Sequence, residues 1–596
     1  MRMIIIYINK KEQLILEIIM ALAYGNFHEL SHQLRFLLFE IGIGLPQNSI
    51  ENFITLAHKN ALNRLQHAAL AEKLINAPIA SHHVHDFIDQ LEMKLKQSKP
   101  ASQFFQWQTL RDELDDSIAN DALAHAYKQR WNTQVSNEAS QYGSLWAWIN
   151  NEMSAHQALL FLEQWGCQGH TYHPSFSAKP GFTRREVLQN SPEFQAKISL
   201  HWCALNKSQA IHPPQSIDFN KLMAQAFPRE FKLWQEKLIF NRINPQEYYP
   251  VPIHPWQWRN KLQMMCTQMT DNKSLILFPH HQTVMPSMSN GIMMPVHYSE
   301  TQIKLAVASR TSYTNRGKTQ DACVISQWIN TLLTQENNYE RTLFLAQDLT
   351  ELQVVNKAIP HHHQKEFSVS LLPHPASLVE SSHKVVPSTS LFSISPLSKK
   401  PLLIEIINES TINPMDFFSR YCDKVLFSQL HLLLKYGVAF ESQPHNTLII
   451  FADNIPQGLI MRETEEVKIA YSVFHEDNNK PHLSPASKIK TTSLDTLRAT
   501  FINGTLQNSL GCWINIINRE YQIDRHQLWK IVNQSLHTTL NNLAKDIHPR
   551  IFSWQKYLLL NDIWQHQCLL TMGLMGNNKD IYIPHPNPLN GHTSPG

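Results

Sequence analysis

The stretch that decides how this chain folds is residues 437–463, which read GVAFESQPHNTLIIFADNIPQGLIMRE. Before it, residues 417–436 carry apolar side chains at helical spacing, and the glycine that follows is a typical helix end. Residues 438–440 and 447–451 have the composition of strands around a polar loop, and residues 453–458 have that of a turn. A helix followed by short strands of this kind predicts an α+β fold.

We predict four regions along the chain. Residues 1–165 show apolar residues at helical spacing, and residues 166–385 mix short strand-like runs with polar loops. Residues 386–583 contain the stretch quoted above and several later helices, whereas residues 584–596 are rich in proline, asparagine and glycine and predict a flexible tail. The serine-rich and proline-rich residues 368–401 predict an irregular connection near the boundary between the second and third regions.

The composition argues against several functional classes. The 596 residues carry a formal net charge of +3 with only 17% charged residues, too little for an electrostatic footprint on nucleic acid or an anionic membrane. The apolar residues 3–8 are interrupted by Asn9 and two lysines, which does not resemble a signal peptide or a membrane span. The seven cysteines are widely spread without a CxxC pair, which fits reduced thiols. We therefore expect a cytoplasmic protein that acts on small molecules.

Residues 169–182, GHTYHPSFSAKPGF, form the first segment whose side chains suit phosphate chemistry. Its imidazoles, hydroxyls and ammonium group, including those of His170 and Lys179, can donate hydrogen bonds to several phosphate oxygens. The alternative is an ordinary surface loop, since 32 histidines make close pairs common. Composition by itself does not choose between the two.

Two further segments contain groups that can bind anions. Residues 251–258, VPIHPWQW, present His254 and Gln257 between stiffening prolines, although packing of the two tryptophans is the simpler interpretation. A strand-like run at residues 304–308 leads into a loop with two arginines and several hydroxyls, whose alternative is a solvated strand end. The polar residues of that loop include Arg310, Thr311, Ser312 and Arg316.

The stretch that opened this section also offers ligands for a hard cation. Magnesium usually takes one or two carboxylates together with nucleotide phosphates. Glu441, Asn446 and Glu463 could supply such ligands from two neighbouring strands, in analogy with the asparagine and acidic residue of kinases. An ordinary hairpin with a polar tip is the alternative.

A function of another class is suggested by residues 28–32, HELSH, which satisfy the HExxH pattern of zinc peptidases. Glu51 could act as the third ligand, but the pattern also arises by chance in a histidine-rich chain. Leu30 and Leu34 indicate a packing helix, so we expect no functional zinc there. GxxxxGKS/T, GxGxxG after a strand and GxSxG are all missing from the sequence, so any ATP site must be of another kind.

Taken in order, these segments resemble the IucA/IucC family of siderophore synthetases, which work without a peptide-synthetase template. The family pattern includes a GHxxHPxxKxRxGF loop, an HPWQ segment, a KL strand leading to a TSxxR-like loop, an ExHxQN loop and a following RD. The ordered match runs over residues 169–463, and residues 555–559 and 587–589 are similar to the family's C-terminal elements. Several weak motifs in the right order are together a strong signal.

The resemblance implies a hand-like architecture in which residues 1–165 are the thumb, 166–385 the fingers and 386–583 a kinase-like palm. It also implies a homodimer that uses ATP and magnesium for siderophore biosynthesis and iron acquisition. Such an enzyme adenylates a citrate-like carboxylate, releases pyrophosphate, and condenses the acid with an amine or alcohol. A catalytically degenerate member that only binds ATP or citrate is the alternative, and a zinc peptidase is a remote one.

The resemblance also assigns roles by position. The catalytic residues would be Arg316, His445 and His170. Magnesium would be held by Glu441, Asn446 and Glu463. The residues that bind ATP would be His170, Lys179, Ser289, Arg310, Thr311, Ser312, Arg316 and Asn446.

The sequence departs from the family pattern at several of these positions. Ser177 stands where the family usually has lysine, and Lys179 where it usually has arginine. Residues 286–291, PSMSNG, lack the arginine that ends the family's serine-rich stretch, so either Arg310 compensates or a phosphate contact is lost. Glu463 replaces the aspartate of the RD pair.

The ExHxQN loop shows a further departure, because its histidine and glutamine are exchanged as Gln443 and His445. If this loop is extended, residues two apart lie on the same face, and the imidazole stays in the site after the exchange. We therefore expect His445 to contact anionic substrate or phosphate.

Overall fold

The computed structural model describes residues 27–167, 173–212, 217–289, 291–307, 321–335, 342–356, 359, 364–462, 467–470, 487, 489–547, 549–576 and 580–590. The helices are α1 (Phe27–Glu40), α2 (Gln47–Ala71), α3 (Val84–Ser98), α4 (Trp107–Glu138), α5 (Leu145–Glu152), α6 (Ala155–Trp165), α7 (Arg184–Asn190), α8 (Phe219–Ala226), α9 (Pro228–Phe240), α10 (Pro255–Gln257), α11 (Gln263–Met265), α12 (Thr267–Asp271), α13 (Asp321–Gln335), α14 (Leu402–Glu409), α15 (Pro414–Tyr436), α16 (Leu494–Phe501), α17 (Gly511–Tyr521), α18 (Arg525–Leu543), α19 (Pro549–Asn561) and α20 (Leu569–Met575). Among the described residues, no helix is long and apolar enough to cross a bilayer.

The strands are β1 (Ile198–Asn206), β2 (Ala210–Ile211), β3 (Tyr248–Ile253), β4 (Leu275–Pro286), β5 (Ile292–Pro295), β6 (Thr301–Leu305), β7 (Leu343–Leu345), β8 (Thr350–Val354), β9 (Ser368–Pro373), β10 (Lys384–Pro387), β11 (Val438–Phe440), β12 (Thr447–Ala452), β13 (Ile455–Met461), β14 (Val467–Ile469), β15 (Trp564–Gln567) and β16 (Tyr582–His585). Eight of them form one antiparallel sheet in the order β2-β8-β9-β6-β5-β4-β1-β3. A second sheet has the order β10-β12-β13-β7, in which β13 and β7 run parallel. The prediction of an α+β fold is confirmed.

Local signals explain why α15 begins and ends where it does. The side chain of Asn413 accepts hydrogen bonds from the backbone N–H groups of Met415 and Asp416, both at 3.0 Å, and Pro414 occupies the first helical position. The helix ends at Gly437, whose φ of 63° is left-handed and therefore favours glycine. The predicted helix is confirmed and starts three residues earlier than its apolar pattern.

The hairpin that follows is confirmed in part. Asp453 and Asn454, with φ of 48° and 62°, form the two-residue turn between β12 and β13. The prediction that the turn extends to Gly458 was wrong, since this glycine lies within β13. A Cβ atom there would lie 2.5 Å from the carbonyl oxygen of Thr342, so the missing side chain allows the backbone beside β7 to approach.

The prediction of an irregular connection at residues 368–401 was also wrong in part. This stretch contains β9, which lies inside the eight-stranded sheet between β8 and β6, and β10, which pairs with β12. Pro373 and Pro387 stand at the last positions of these two strands. The prolines therefore end strands and do not prevent them.

The hydrophobic clusters extend across the predicted regions. The largest cluster includes side chains from α5 and α6 together with those of α15 and α18, and it reaches Leu589. A second cluster joins α1 to α4 with Leu570 and Leu574 of α20. Asn587 Nδ2 donates to the carbonyl of Asp562 at 2.9 Å, so residues 584–590 of the predicted tail pack against the protein. Residues 591–596 lie outside the described residues, so for them the predicted flexibility stays a prediction.

Candidate active site

A buried ion pair connects three parts of the candidate site. Arg462 follows β13, and its guanidinium donates to both carboxylate oxygens of Glu163 on α6, with Nη1–Oε2 at 2.9 Å and Nη2–Oε1 at 2.5 Å. The backbone N–H of Met288 also donates to Glu163 Oε2, at 3.0 Å. The backbone N–H of Arg462 donates to the carbonyl of Asn446 at 3.0 Å. One bidentate pair thus holds the 441–446 loop and the 286–291 segment on the same helix.

The 441–446 loop is buried and turned, and not extended. Gln443 Nε2 donates to Glu441 Oε1 at 2.7 Å, and Pro444–Asn446 form a short 3-10 helix. The premise that residues 443 and 445 share one face of an extended loop was therefore wrong. Proline at the first position of the turn sets its backbone dihedral angle and favours this shape. Gln443 orients the Glu441 carboxylate, while His445 is half-buried on the turn.

The 286–291 segment is shaped by a glycine. Gly291 has a φ of 86°, and a Cβ there would lie 2.4 Å from the carbonyl oxygen of Leu305 at the end of β6. The backbone N–H of Ser289 donates to Ser287 Oγ at 3.1 Å, which closes a small turn. There is no room for a side chain at position 291. The segment consequently lies against the end of β6 at Gly291, two residues after Ser289.

The VPIHPWQW segment has a packing role. His254 is buried, and its Nδ1 accepts from the backbone N–H of Trp256 at 3.1 Å, which caps α10. Burial, together with a smaller effect of nearby His201, lowers the pKa of His254 to about 3, so the imidazole is neutral. Trp256 stacks on Phe182 with the ring centroids 4.2 Å apart. The segment therefore supports the end of the 169–182 loop, in agreement with the simpler interpretation of its tryptophans.

Lys179 lies on the same loop. Its backbone N–H donates to Asp116 Oδ2 at 2.7 Å, and its Nζ lies 3.8 Å from Glu193 Oε1. The backbone N–H of nearby Ser177 also donates to a side chain of α4, Ser117 Oγ, at 3.2 Å. Contacts with α4 therefore fix this part of the loop, and the Lys179 ammonium is partly exposed beside it.

Six predicted site residues lie outside the described residues, so their positions in the fold stay predictions. These are His170, Arg310, Thr311, Ser312, Arg316 and Glu463. The described ones are Lys179, Ser289, Glu441, His445 and Asn446. The buried Arg462–Glu163 pair connects the segment that contains Ser289 with the loop that contains Glu441, His445 and Asn446. Sequence reasoning missed Glu163, because a single glutamate in the amphipathic α6 carries no signal of its own.

The HExxH pattern lies on α1, where His28 Nδ1 is 3.7 Å from Glu51 Oε1 and the His28 side chain is 59% exposed. In the part of the chain that the structure describes, no three histidine, cysteine or acidic side chains form a group suited to a metal ion. The geometry here is that of a contact between an exposed histidine on α1 and a partly buried glutamate on α2.

Comparison with known families agrees with the geometry. Residues 158–393 match the family described as the IucA / IucC family. This part of the chain is an IucA/IucC domain. The IucA/IucC domain begins on α6, which carries Glu163, and ends shortly after β10. Residues 415–581 match a second family, described as ferric iron reductase FhuF-like transporter. The resemblance to the IucA/IucC family is thus confirmed.

Two curated proteins are similar to long parts of the chain. An uncharacterized protein of Sinorhizobium fredii is 26% identical over 514 residues, which are 80% of this chain and 80% of that protein. The citryl-spermidine/3,4-dihydroxybenzoyl-citryl-spermidine:spermidine ligase of Bacillus anthracis is 21% identical over 330 residues, 54% of this chain and 53% of the ligase.

A solved structure shares the fold. ATP-bound aerobactin synthetase IucA from a hypervirulent pathotype of Klebsiella pneumoniae has a TM-score of 0.64 at 17% identity, covering 85% of this chain and 87% of that one. The mixed α+β fold is therefore shared with that aerobactin synthetase.

Proposed function

We propose that this protein is an ATP-dependent ligase of siderophore biosynthesis. A carboxylate oxygen of a citrate-like acid attacks the α-phosphorus of ATP, giving an acyl adenylate and pyrophosphate. An amine or alcohol then attacks the acyl carbon, forming the amide or ester and releasing AMP. The proposal includes the hand-like arrangement of thumb, fingers and kinase-like palm, the homodimer and the cytoplasmic location. The observation that carries it is the pair between Glu163, which lies in the part of the chain that matches the IucA/IucC family, and Arg462, which lies beyond it. This pair joins the two segments that the family pattern assigns to one site.

The residues present suit magnesium. Glu441 and Asn446 are both buried in the 441–446 loop, and they offer a carboxylate and an amide oxygen, which are hard ligands of the type this ion prefers. Glu463, next to Arg462, would add a second carboxylate. When bound, magnesium neutralises negative charge on the nucleotide phosphates.

The remaining roles follow the family pattern. Lys179 and Ser289 bind the nucleotide together with His170, Arg310, Thr311, Ser312, Arg316 and Asn446. Arg316 and His170 stabilise charge that develops on the transferred phosphorus, and His445 contacts the anionic substrate. Preorganised positive groups are what such a transition state requires.

The reaction products test the proposal. With ATP, magnesium and citrate, we expect the protein to release pyrophosphate and AMP, and we expect release to depend on citrate because adenylation needs the acid. Ion chromatography of the inorganic products makes the measurement. Release of phosphate alone would exclude adenylation. Binding of ATP and citrate without turnover, for every acid and amine supplied, would favour the degenerate member.

The role of His445 makes a separate prediction. His445→Ala should lower turnover by about 10²-fold, the lower range for a positioned hydrogen-bonding or proton-transferring group. His28→Ala is the matched control, because His28 is an exposed histidine on α1, and we expect the variant to keep wild-type activity and zinc content. Steady-state kinetics with citrate makes the comparison. Equal rates for wild type and His445→Ala would remove His445 from the site.

A further inference from the structure

A π-helical segment lies directly behind the 441–446 loop. One helix continues from α16 into α17, and its middle nine residues, Ile502–Leu510, are π-helical. π segments within α-helices are rare and frequently lie at functional sites, because their wider turn changes which side chains face a neighbour. The contacts that this π segment makes with the 441–446 loop therefore indicate what it does.

Gly504 of the π segment contacts the loop backbone. A Cβ atom at this position would lie 2.5 Å from the backbone nitrogen of Ser442, 3.0 Å from the carbonyl carbon of Glu441 and 3.1 Å from its Cα. Contacts shorter than 3.0 Å force one of the two partners to move, and both partners here are backbone. The absence of a side chain at position 504 thus sets how closely the loop approaches the helix.

The next residue of the π segment bonds to the same loop through a shared partner. Thr505 Oγ1 donates to Gln429 Oε1 at 2.6 Å, and Ser442 Oγ donates to the same oxygen at 2.8 Å. All three side chains are buried, and Gln429 projects from α15. Buried hydrogen bonds of this kind are strong in a low dielectric and rigid when satisfied. Two helices therefore hold the loop at Ser442, next to Glu441.

We propose that Gly504, Thr505 and Gln429 are positioning residues that set the place of the Glu441 carboxylate. The backbone contact and the two hydrogen bonds fix the main chain at residues 441–442, and Gln443 Nε2 then fixes the carboxylate itself. A displacement of about 1 Å in a reacting site lowers rates by about 10²-fold. The inference rests on the proposed function, in which Glu441 binds the metal.

The test is Gly504→Ala. Alanine favours helix over glycine, so we expect the helix to form, while the new Cβ displaces Glu441. Binding of Mn²⁺ in the presence of a non-hydrolysable ATP analogue, followed by electron paramagnetic resonance of the free ion, should weaken at least tenfold. The matched control is Gly511→Ala in the same helix, where a Cβ meets only the carbonyl oxygen of Leu506 at 3.7 Å and binding should equal wild type.

A second variant covers the case in which Gly504→Ala does not fold. Thr505→Val keeps the shape of the side chain and removes one of the two hydrogen bonds to Gln429. Mn²⁺ binding should therefore weaken by about tenfold, the lower end of the range for residues that support metal ligands. Wild-type affinity in the folded variants overturns the positioning role alone. Absence of Mn²⁺ binding by the wild-type protein with the nucleotide analogue overturns the metal site of the proposed function as well.

Discussion

Glu163→Ala should lower the free energy of unfolding by about 3–5 kcal/mol, the usual result of leaving one partner of a buried ion pair without the other. Arg462 is 4% exposed and Glu163 1%, so water cannot replace the lost carboxylate. The backbone N–H of Met288 loses its acceptor in the same variant. Chemical denaturation followed by tryptophan fluorescence measures the change.

The matched control for this prediction is Glu40→Ala. Glu40 pairs with Arg185 at 2.8 Å, but the two side chains are 36% and 57% exposed. Exposed ion pairs contribute about 0–1 kcal/mol, so this variant should unfold close to wild type. If both variants lose equally little stability, the buried pair does not hold the site together.

A double variant separates stability from activity. Glu163→Leu with Arg462→Met replaces the pair by apolar side chains, a change that is often neutral or stabilising in a buried position. We expect it to recover much of the stability that Glu163→Ala loses, but not the activity, because the contacts with Met288 and the directional link to β13 are gone. Wild-type turnover in the double variant would contradict the positioning role of the pair.

Glu441→Gln should lower the rate of citrate-dependent pyrophosphate release by about 10²–10³-fold, the loss expected when one charge-stabilising group is removed from a preorganised site. The amide keeps the shape of the side chain and can still accept from Gln443, so the fold should be unchanged. Magnesium titration at saturating ATP measures the effect, and the midpoint should move to higher concentration because a carboxylate ligand is lost.

Glu405→Gln is the control for that variant. Glu405 is also buried and accepts a hydrogen bond from the backbone N–H of Trp146 at 2.9 Å, but it belongs to α14 and not to the 441–446 loop. We expect its turnover and magnesium midpoint to match wild type. An equal loss in Glu405→Gln would assign the effect of Glu441→Gln to folding and not to metal binding.

Local signals allowed much of the fold to be predicted. The end of α15 at Gly437, the strands β11 and β12, and the α+β class follow from apolar spacing and from glycine chemistry, which act within a few residues of the chain. The extent of the turn after Asp453 was predicted incorrectly because Gly458 was taken as a turn residue. A glycine is needed at this position because the backbone of Thr342, more than a hundred residues away in the sequence, lies too close for a side chain.

By itself, the sequence determined the elements, the ordered motifs and the side-chain chemistry of the candidate site. Only the tertiary structure decided that Glu163 joins Arg462, 299 residues further along the chain, and that Gly504 lies against the backbone of Ser442. Only the tertiary structure showed that the 441–446 loop is turned and that Gln443 donates a hydrogen bond to Glu441. The physical reason is the distance along the sequence between the residues that interact. Helix ends and turns depend on neighbouring residues, whereas buried pairs and close backbone contacts depend on which distant segments the hydrophobic core brings together.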